Sequence, residues 1–156
     1  MVKPAIKIFL DSNVILSGLL SEKGSPRVIL DLLCLDLPGL KGATGEYNLR
    51  EIERNIQKRL PDGLGLFQSC LPRLRLEIVP LTSVPDLQSY LPLIVAKDAP
   101  VLEAAVRCGA DYLVTGDKRD FDRLKGDERI PLEIVNPVEL VKLLGHALAN
   151  DQDESR

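Results

Sequence analysis

Aromatic residues make up only 4% of the 156-residue chain, and tryptophan is absent. That composition offers no evident stacking platform for single-stranded nucleic acid. Positive charge is short as well: 20 lysines and arginines stand against 23 aspartates and glutamates, for a net charge of −3. No overall basic field advertises a polyanionic partner, which counts against a simple nucleic-acid binder. It counts less against an enzyme whose acids are neutralised by a bound cation. The only histidine, His146, stands near the C-terminus beside no acid motif and reads as a surface helix residue. No serine–histidine or cysteine–histidine constellation can be assembled around it. Cys34, Cys70 and Cys108 are odd in number, widely spaced and without a metal-ligand pattern. They read as small buried apolar residues in a reducing cytoplasm. There is no P-loop and no Gly-x-Gly-x-x-Gly segment. No apolar run approaches a membrane span, and Leu91-Pro92-Leu93-Ile94-Val95-Ala96 has the size of a core segment. Lys3-Pro4 leads straight into a strand pattern, so a cytoplasmic protein without a secretory leader is expected.

What is present is an ordinary globular balance, 45% hydrophobic and 28% charged, on a length that suits one domain with a real core. Ile6-Lys7-Ile8-Phe9-Leu10 reads as a buried strand, and residues 14–20 as a short helix after it. Ser25 and Pro26 read as the N-cap and first residue of a second helix, stopped by Pro38-Gly39. Residues 40–44 form a weak strand pattern. Leu49, Ile52, Ile56 and Leu60 recur at helical steps within 46–60. Another helix is expected over 64–74, bent near Pro72, then a strand over 76–80. Residues 84–96 are ambiguous, with a helix from Asp86 expected. Further on, a helix over 100–108 stops at Gly109, a strand covers 111–115, and a short helix covers 120–124. The last strand is 132–135, and Asn136-Pro137 open a final helix through Leu148. Strands alternating with helices imply an α/β fold with a parallel sheet covered on both faces. The expected domain spans 1–149, with 150–156 a flexible polar tail.

Four acids share a pattern of placement. Asp11 and Asp117 follow strand patterns, Asp98 stands just before a helix, and Glu51 lies in the helix after the weak strand. Strand ends meet at one edge of such a sheet, so these acids can converge. Carboxylates held together repel, and a bound cation is one ordinary resolution. Oxygen-only ligands select hard ions such as Mg²⁺ or Mn²⁺, which activate water and steady a phosphodiester's charge. Each acid also has a plainer reading. Asp11 can cap the helix after it, Asp98 the helix at Pro100, and Asp117 can be a turn aspartate. Glu51 can be a solvated helix charge facing Arg54 or Asn55. Asp120 can cap its short helix or stand just behind the site. Glu103 pairs with Arg107 on what reads as an exposed helix face, outside the site.

Leu10-Asp11-Ser12-Asn13-Val14-Ile15-Leu16-Ser17 resembles the opening motif of PIN-domain proteins. Asp98-Ala99-Pro100-Val101-Leu102-Glu103-Ala104-Ala105 and Gly109-Ala110-Asp111-Tyr112-Leu113-Val114-Thr115-Gly116-Asp117-Lys118 resemble their second conserved half. The likeness is greatest to the VapC-like toxin branch of toxin–antitoxin pairs and runs from Ile6 to Leu144. It implies a three-layer α/β/α sandwich and a metal-dependent endoribonuclease that binds RNA and a small antitoxin protein. The family's acids map onto Asp11, Asp98 and Asp117 as catalytic metal ligands for Mg²⁺ or Mn²⁺, with Ser12 and Thr115 as nearby hydroxyls. The helix acid maps onto Glu51, because Leu49-Arg50-Glu51-Ile52 resembles the family's apolar-x-Glu-apolar step; Glu46 is the competing alignment. Lys97 stands where many relatives carry a further acid.

On this reading Ser12, Asn13, Thr115 and Asp120 orient ligands or water, and Lys118 and Arg119 contact the RNA backbone. The rival enzyme is an aspartyl-nucleophile phosphohydrolase, whose general acid would fall two residues after Asp11, where this chain has Asn13. The rival outside enzymes is a partner-binding module that retains the acids. The apolar excess around 30–40 and 64–74 adds the expectation of a homodimer.

Overall fold

The computed structural model describes residues 4–154. Strand β1 (Ile6–Leu10) lies in the middle of a five-stranded sheet, with β2 (Leu40–Gly45) and β3 (Glu77–Val79) on one side. β4 (Tyr112–Val114) and β5 (Glu133–Val135) lie on the other, giving the order β3-β2-β1-β4-β5 with every pairing parallel. The chain thus leaves β1 in one direction and returns to its other side, so the strand order reverses between β1 and β4. At such a switch point the loops beyond the strand ends part and leave a crevice.

Both faces of the sheet are buried, as parallel strands require. Ile8 and Leu10 of β1 pack with Val114 and Val135 against α1 (Ser12–Leu20), α2 (Ser25–Cys34) and α3 (Glu46–Arg59). Phe9, Leu113 and Ile134 face the opposite way. α4 (Leu64–Cys70) and a 3₁₀ turn at Leu71–Leu74 extend the first layer, in line with the bend expected at Pro72. The second layer is built on α6 (Ala99–Arg107), preceded by α5 (Val84–Gln88) and followed by α7 (Lys118–Phe121). The result is the expected α/β arrangement of a parallel sheet flanked by helices. α8 (Pro137–Glu154) closes the first layer through Leu140 and Leu144. It is opened by a reciprocal cap, in which Asn136 Oδ1 accepts from the Glu139 amide and Glu139 Oε1 from the Asn136 amide. The helix continues through the stretch read as a tail as far as Glu154; the last two residues lie outside the described part. No helix among the described residues is long and apolar enough to cross a membrane.

Several local expectations are corrected. Gly24, at φ 102°, is the N-cap of α2, so Ser25 is already helical and caps nothing. α2 ends at Cys34, before Pro38-Gly39, where the chain turns through Asp36 at φ 51°. The helix expected from Asp86 starts at Val84 and stops at Gln88, and residues 89–98 are turns and irregular chain. Proline is tolerated in a first turn, as at Pro85, but Pro92 lacks the amide a continued helix needs. The short helix near 120 starts at Lys118, and a 3₁₀ turn covers Asp122–Leu124. Cys34 is exposed, although all three cysteines are free thiols. Glu103 does pair with Arg107, at 2.7 Å, but on a buried face: Glu103 is 5% exposed. Arg107 also donates to the Pro80 carbonyl, tying α6 to the end of β3.

The weak strand pattern at β2 has a packing cause. Gly42 leaves the space that Leu33 and Leu76 side chains fill. Thr44, fully buried, donates its hydroxyl to the Leu10 carbonyl at 2.8 Å and fastens β2 to the end of β1. Gly18 plays a similar part between α1 and α2. A Cβ there would fall 2.5 Å from Leu30 Cδ1 and 3.0 Å from the Pro26 carbonyl oxygen. Gly18→Val should therefore destabilise the protein by about 1–3 kcal/mol through overpacking. Urea unfolding with an unchanged slope and a lower midpoint is the expected result.

Candidate metal centre

β1 ends on Asp11, which is 6% exposed. A carboxylate is expensive to bury unless donors surround it. Here Oδ1 accepts from the Ser12 amide at 2.7 Å and from Asn48 Nδ2 at 3.2 Å. Oδ2 accepts from the Thr115 hydroxyl at 2.7 Å and from Asn13 Nδ2 at 3.4 Å. The donors come from α1, from α3 and from the end of β4, so three elements meet on one side chain. Asp11 is also the N-cap of α1. Capping and gathering are therefore both true of it. Burial pushes its carboxyl up to about 6 against the pull of these donors, and the charges of Glu51 and Asp117 push the same way.

Beyond β4 the hydroxyl of Thr115 links Asp11 to Asp117. It donates to Asp11 and accepts the Asp117 amide at 3.0 Å. Asp117 Oδ1 accepts from the Arg119 and Asp120 amides at 3.1 and 3.2 Å, so this turn aspartate also caps α7. Asp98 stands at the N-cap position of α6 but makes no capping bond with its side chain, so the plain cap reading does not describe it. Its Oδ2 is buried with no hydrogen-bond partner among the described residues. One carboxylate oxygen from each of Asp98, Asp117 and Asp120 lies within 4.8 Å of the other two. Burial, then the contact with Asp120, drives the Asp98 carboxyl up to about 7, while the same contact and Lys97 hold Asp120 low. Lys97 Nζ reaches Asp120 Oδ2 at 3.3 Å.

Oxygen donors of this number, one of them orphaned and two with carboxyls raised above the usual range by burial, are what a hard divalent cation fits. Asp120, expected behind the site, belongs to the group of three. Asp11 and Glu51 stand outside that group, and Asp11 joins it through Thr115. Glu51 is half-buried on α3, and its charge acts on Asp11 and on Tyr47, whose hydroxyl burial and Glu51 together push up. Glu46, the competing helix acid, pairs with Arg50 at 2.8 Å and accepts the Leu81 amide. Asn13 is engaged at both ends, since its Oδ1 accepts the Gly116 amide at 2.9 Å. Ser12, buried, takes a hydrogen bond from Asn48 Nδ2 at 2.9 Å. Arg119 is exposed, and the side chain of Lys118 lies outside the described residues.

Asn48 was not singled out from the sequence. It is fully buried and orients both Asp11 and Ser12 from the first turn of α3. The signal was there: it stands four residues before Ile52 and eight before Ile56, a polar residue on the apolar face of a helix.

The PIN domain family profile matches residues 7–119. Among solved structures, a chain of VapBC2 from Rickettsia felis, in a complex bound to a DNA fragment from the promoter, matches with a TM-score of 0.59 and 22% identity. The match covers 84% of this chain and 98% of that one. DNA-bound VapBC from Salmonella typhimurium gives 0.62 and 18% identity, covering 85% and 98%. FitAcB from Neisseria gonorrhoeae gives 0.57 and 21% identity, covering 83% and 97%. At these identities the likeness is one of fold. No match is found among curated proteins.

The raised carboxyls set a pH dependence. Asp11 and Asp98 bind protons in the folded state at pH values where the unfolded chain has released them, so stability falls as pH rises. The window runs from about 4, the unfolded value, through about 6 for Asp11 and about 7 for Asp98. In chelator, the melting temperature should drop between pH 5 and 8. Asp11→Asn should flatten that drop, because its amide oxygen can keep Ser12 and Asn48 while its NH₂ turns to Thr115. Melts of equal slope for parent and variant would show that Asp11 carries no such strain.

Proposed function

The chain belongs to the PIN domain family, and on that premise we propose that it is a metal-dependent endoribonuclease, the toxin of a toxin–antitoxin pair. The observation that carries the reading is the meeting of Asp98, Asp117 and Asp120 beside buried Asp11, in the crevice where the strand order reverses. In the proposal Asp11, Glu51, Asp98 and Asp117 hold Mg²⁺ or Mn²⁺, with Asp120 as an added donor. A cation bound there lowers the pKa of water and offsets the negative charge of a phosphodiester.

The chain's own residues supply orientation. Thr115 and Asn48 aim the two oxygens of Asp11, and each also bonds a second member of the site. Asn13 fixes the Gly116 amide, so the turn bearing Asp117 is held against the start of α1. Lys97 offsets part of the charge on Asp120 by direct pairing, and its charge also acts on Asp98. Lys118 and Arg119, at the start of α7, are proposed to meet the RNA backbone. Nothing favours a covalent phosphoaspartate, because Asn13 is bound on both sides and cannot donate the proton that chemistry requires.

A small antitoxin partner is part of the reading, supported by solved structures of the same fold that are VapBC and FitAcB complexes. A cytoplasmic location and a homodimer complete it. Leu35 and Leu66 support the homodimer: they remain 65% and 60% exposed within the two stretches where the sequence has its apolar excess. Light scattering should give a dimer mass at tens of micromolar; a monomer mass would remove that element alone.

Cleavage of mixed RNA should require Mg²⁺ or Mn²⁺ and stop in chelator. Asp11→Asn and Asp117→Asn should each lower it by orders of magnitude. Mn²⁺ should raise the parent's melting temperature by ligand linkage and raise either variant's by less. Equal Mn²⁺ stabilisation of all three proteins would overturn the assignment of these acids as ligands.

A further inference from the structure

α3 carries more than Glu51. One turn earlier, Tyr47 donates its hydroxyl to the Lys97 carbonyl at 3.0 Å, so its ring bridges α3 to the residue preceding Asp98. Arg50 and Arg54 follow Tyr47 at steps of three and four, along one side of the helix. With Tyr47 and Leu81 they border an open groove of about 440 Å³, which Glu53 also lines. Across Tyr47 and Leu81 lies a narrower, mostly apolar cavity of about 180 Å³, walled by Gly45, Val79 and Pro100. That is below the roughly 300–1,000 Å³ of a site for a whole small molecule, and suits one flat ring. Arg50 gives one nitrogen to Glu46 at 2.8 Å. Arg54 makes no ion pair among the described residues and is exposed. From Tyr47 to Arg54 the helix rises about 10 Å.

We propose that an RNA strand lying on the acid cluster continues along α3, seating one base in the cavity beside the Tyr47 ring while Arg54 and Arg50 hold the phosphates next to it. The proposal rests on the ribonuclease reading. It meets a difficulty which that reading leaves open. A chain of net charge −3 with its acids gathered in one crevice repels a polyanion, so guanidiniums must lie close beside the acids. Single-stranded RNA is recognised by bases splayed out onto aromatic rings, with phosphates held by cations. Tyr47 and the two arginines bring a ring and cations together within one or two turns of Glu51. An acidic polypeptide would use the arginines but has no need of a ring-sized slot.

The test is fluorescence anisotropy with a labelled 12-nucleotide single-stranded RNA and the full chain, in chelator so that nothing is cleaved, over a salt series. Removing both guanidiniums (Arg50→Ala with Arg54→Ala) should lower the slope of log affinity against log salt by about 0.7 per lost phosphate contact, so about 1.4. Tyr47→Ala should weaken binding about 5- to 150-fold, the loss of one stacked base. Tyr47→Phe, which keeps the ring and loses only the hydroxyl, should bind like the parent. An unchanged slope in the arginine variant, or no RNA binding by the parent, overturns the track. Equal weakening by Tyr47→Phe and Tyr47→Ala overturns the base seat. The ribonuclease reading fails separately: a parent that shows these binding losses yet never cleaves RNA with metal keeps the track and loses the nuclease. Metal-dependent cleavage with unaltered binding in the variants does the reverse.

Discussion

A carboxylate buried at the end of the central strand is the constraint on which this structure depends. Asp11 at 6% exposure is sustainable only while several donors face it, and no single element can supply them. The amide of Ser12 comes free with the start of α1, as at any helix N-terminus. The Thr115 hydroxyl requires β4 to lie beside β1 in register, and Asn48 requires α3 to leave β2 at the right angle. Thr44 then holds the β2 end against the Leu10 carbonyl. The topology is in this sense recorded in the hydrogen bonds of one side chain.

These bonds only partly relieve the burial of the charge at the site. Donors stabilise the charge on Asp11, yet burial and the neighbouring acids still hold its carboxyl above the usual range. Asp98 is treated less kindly, with one oxygen orphaned and Asp120 as its neighbour. Free energy held this way is released when a cation or a proton arrives, which couples stability, pH and ligand binding at one place. Lys97 pairs directly with Asp120, and its charge eases Asp98 only in part.

Much of this was legible in the sequence where local rules suffice. The apolar run before Asp11, the stop at Gly109 and the Asn136-Pro137 start of α8 each declare themselves within a few residues. The local errors have local causes as well. Ser25 reads as the cap from its hydroxyl, but glycine's backbone freedom lets Gly24 take the cap position at φ 102°. Hydrophobicity around 91–96 suggested a helix that Pro92 forbids. Glu103 looks like a surface charge because its spacing to Arg107 is that of an exposed pair; it is buried all the same, while Arg107 reaches the Pro80 carbonyl at the end of β3.

The sequence by itself determined the alternation of strands and helices, the positions of Asp11 and Asp117 after their strands, and so the edge of the sheet on which they stand. These follow from periodicity and turn chemistry, which act over a few residues. Only the tertiary structure decided that Asp120 joins Asp98 and Asp117, that Asn48 orients Asp11, that Glu46 takes the Leu81 amide, and that Lys97 pairs with Asp120. Those outcomes depend on distances between elements far apart in the chain. Such distances are set by how two apolar layers close over one sheet, and no spacing along the sequence encodes them.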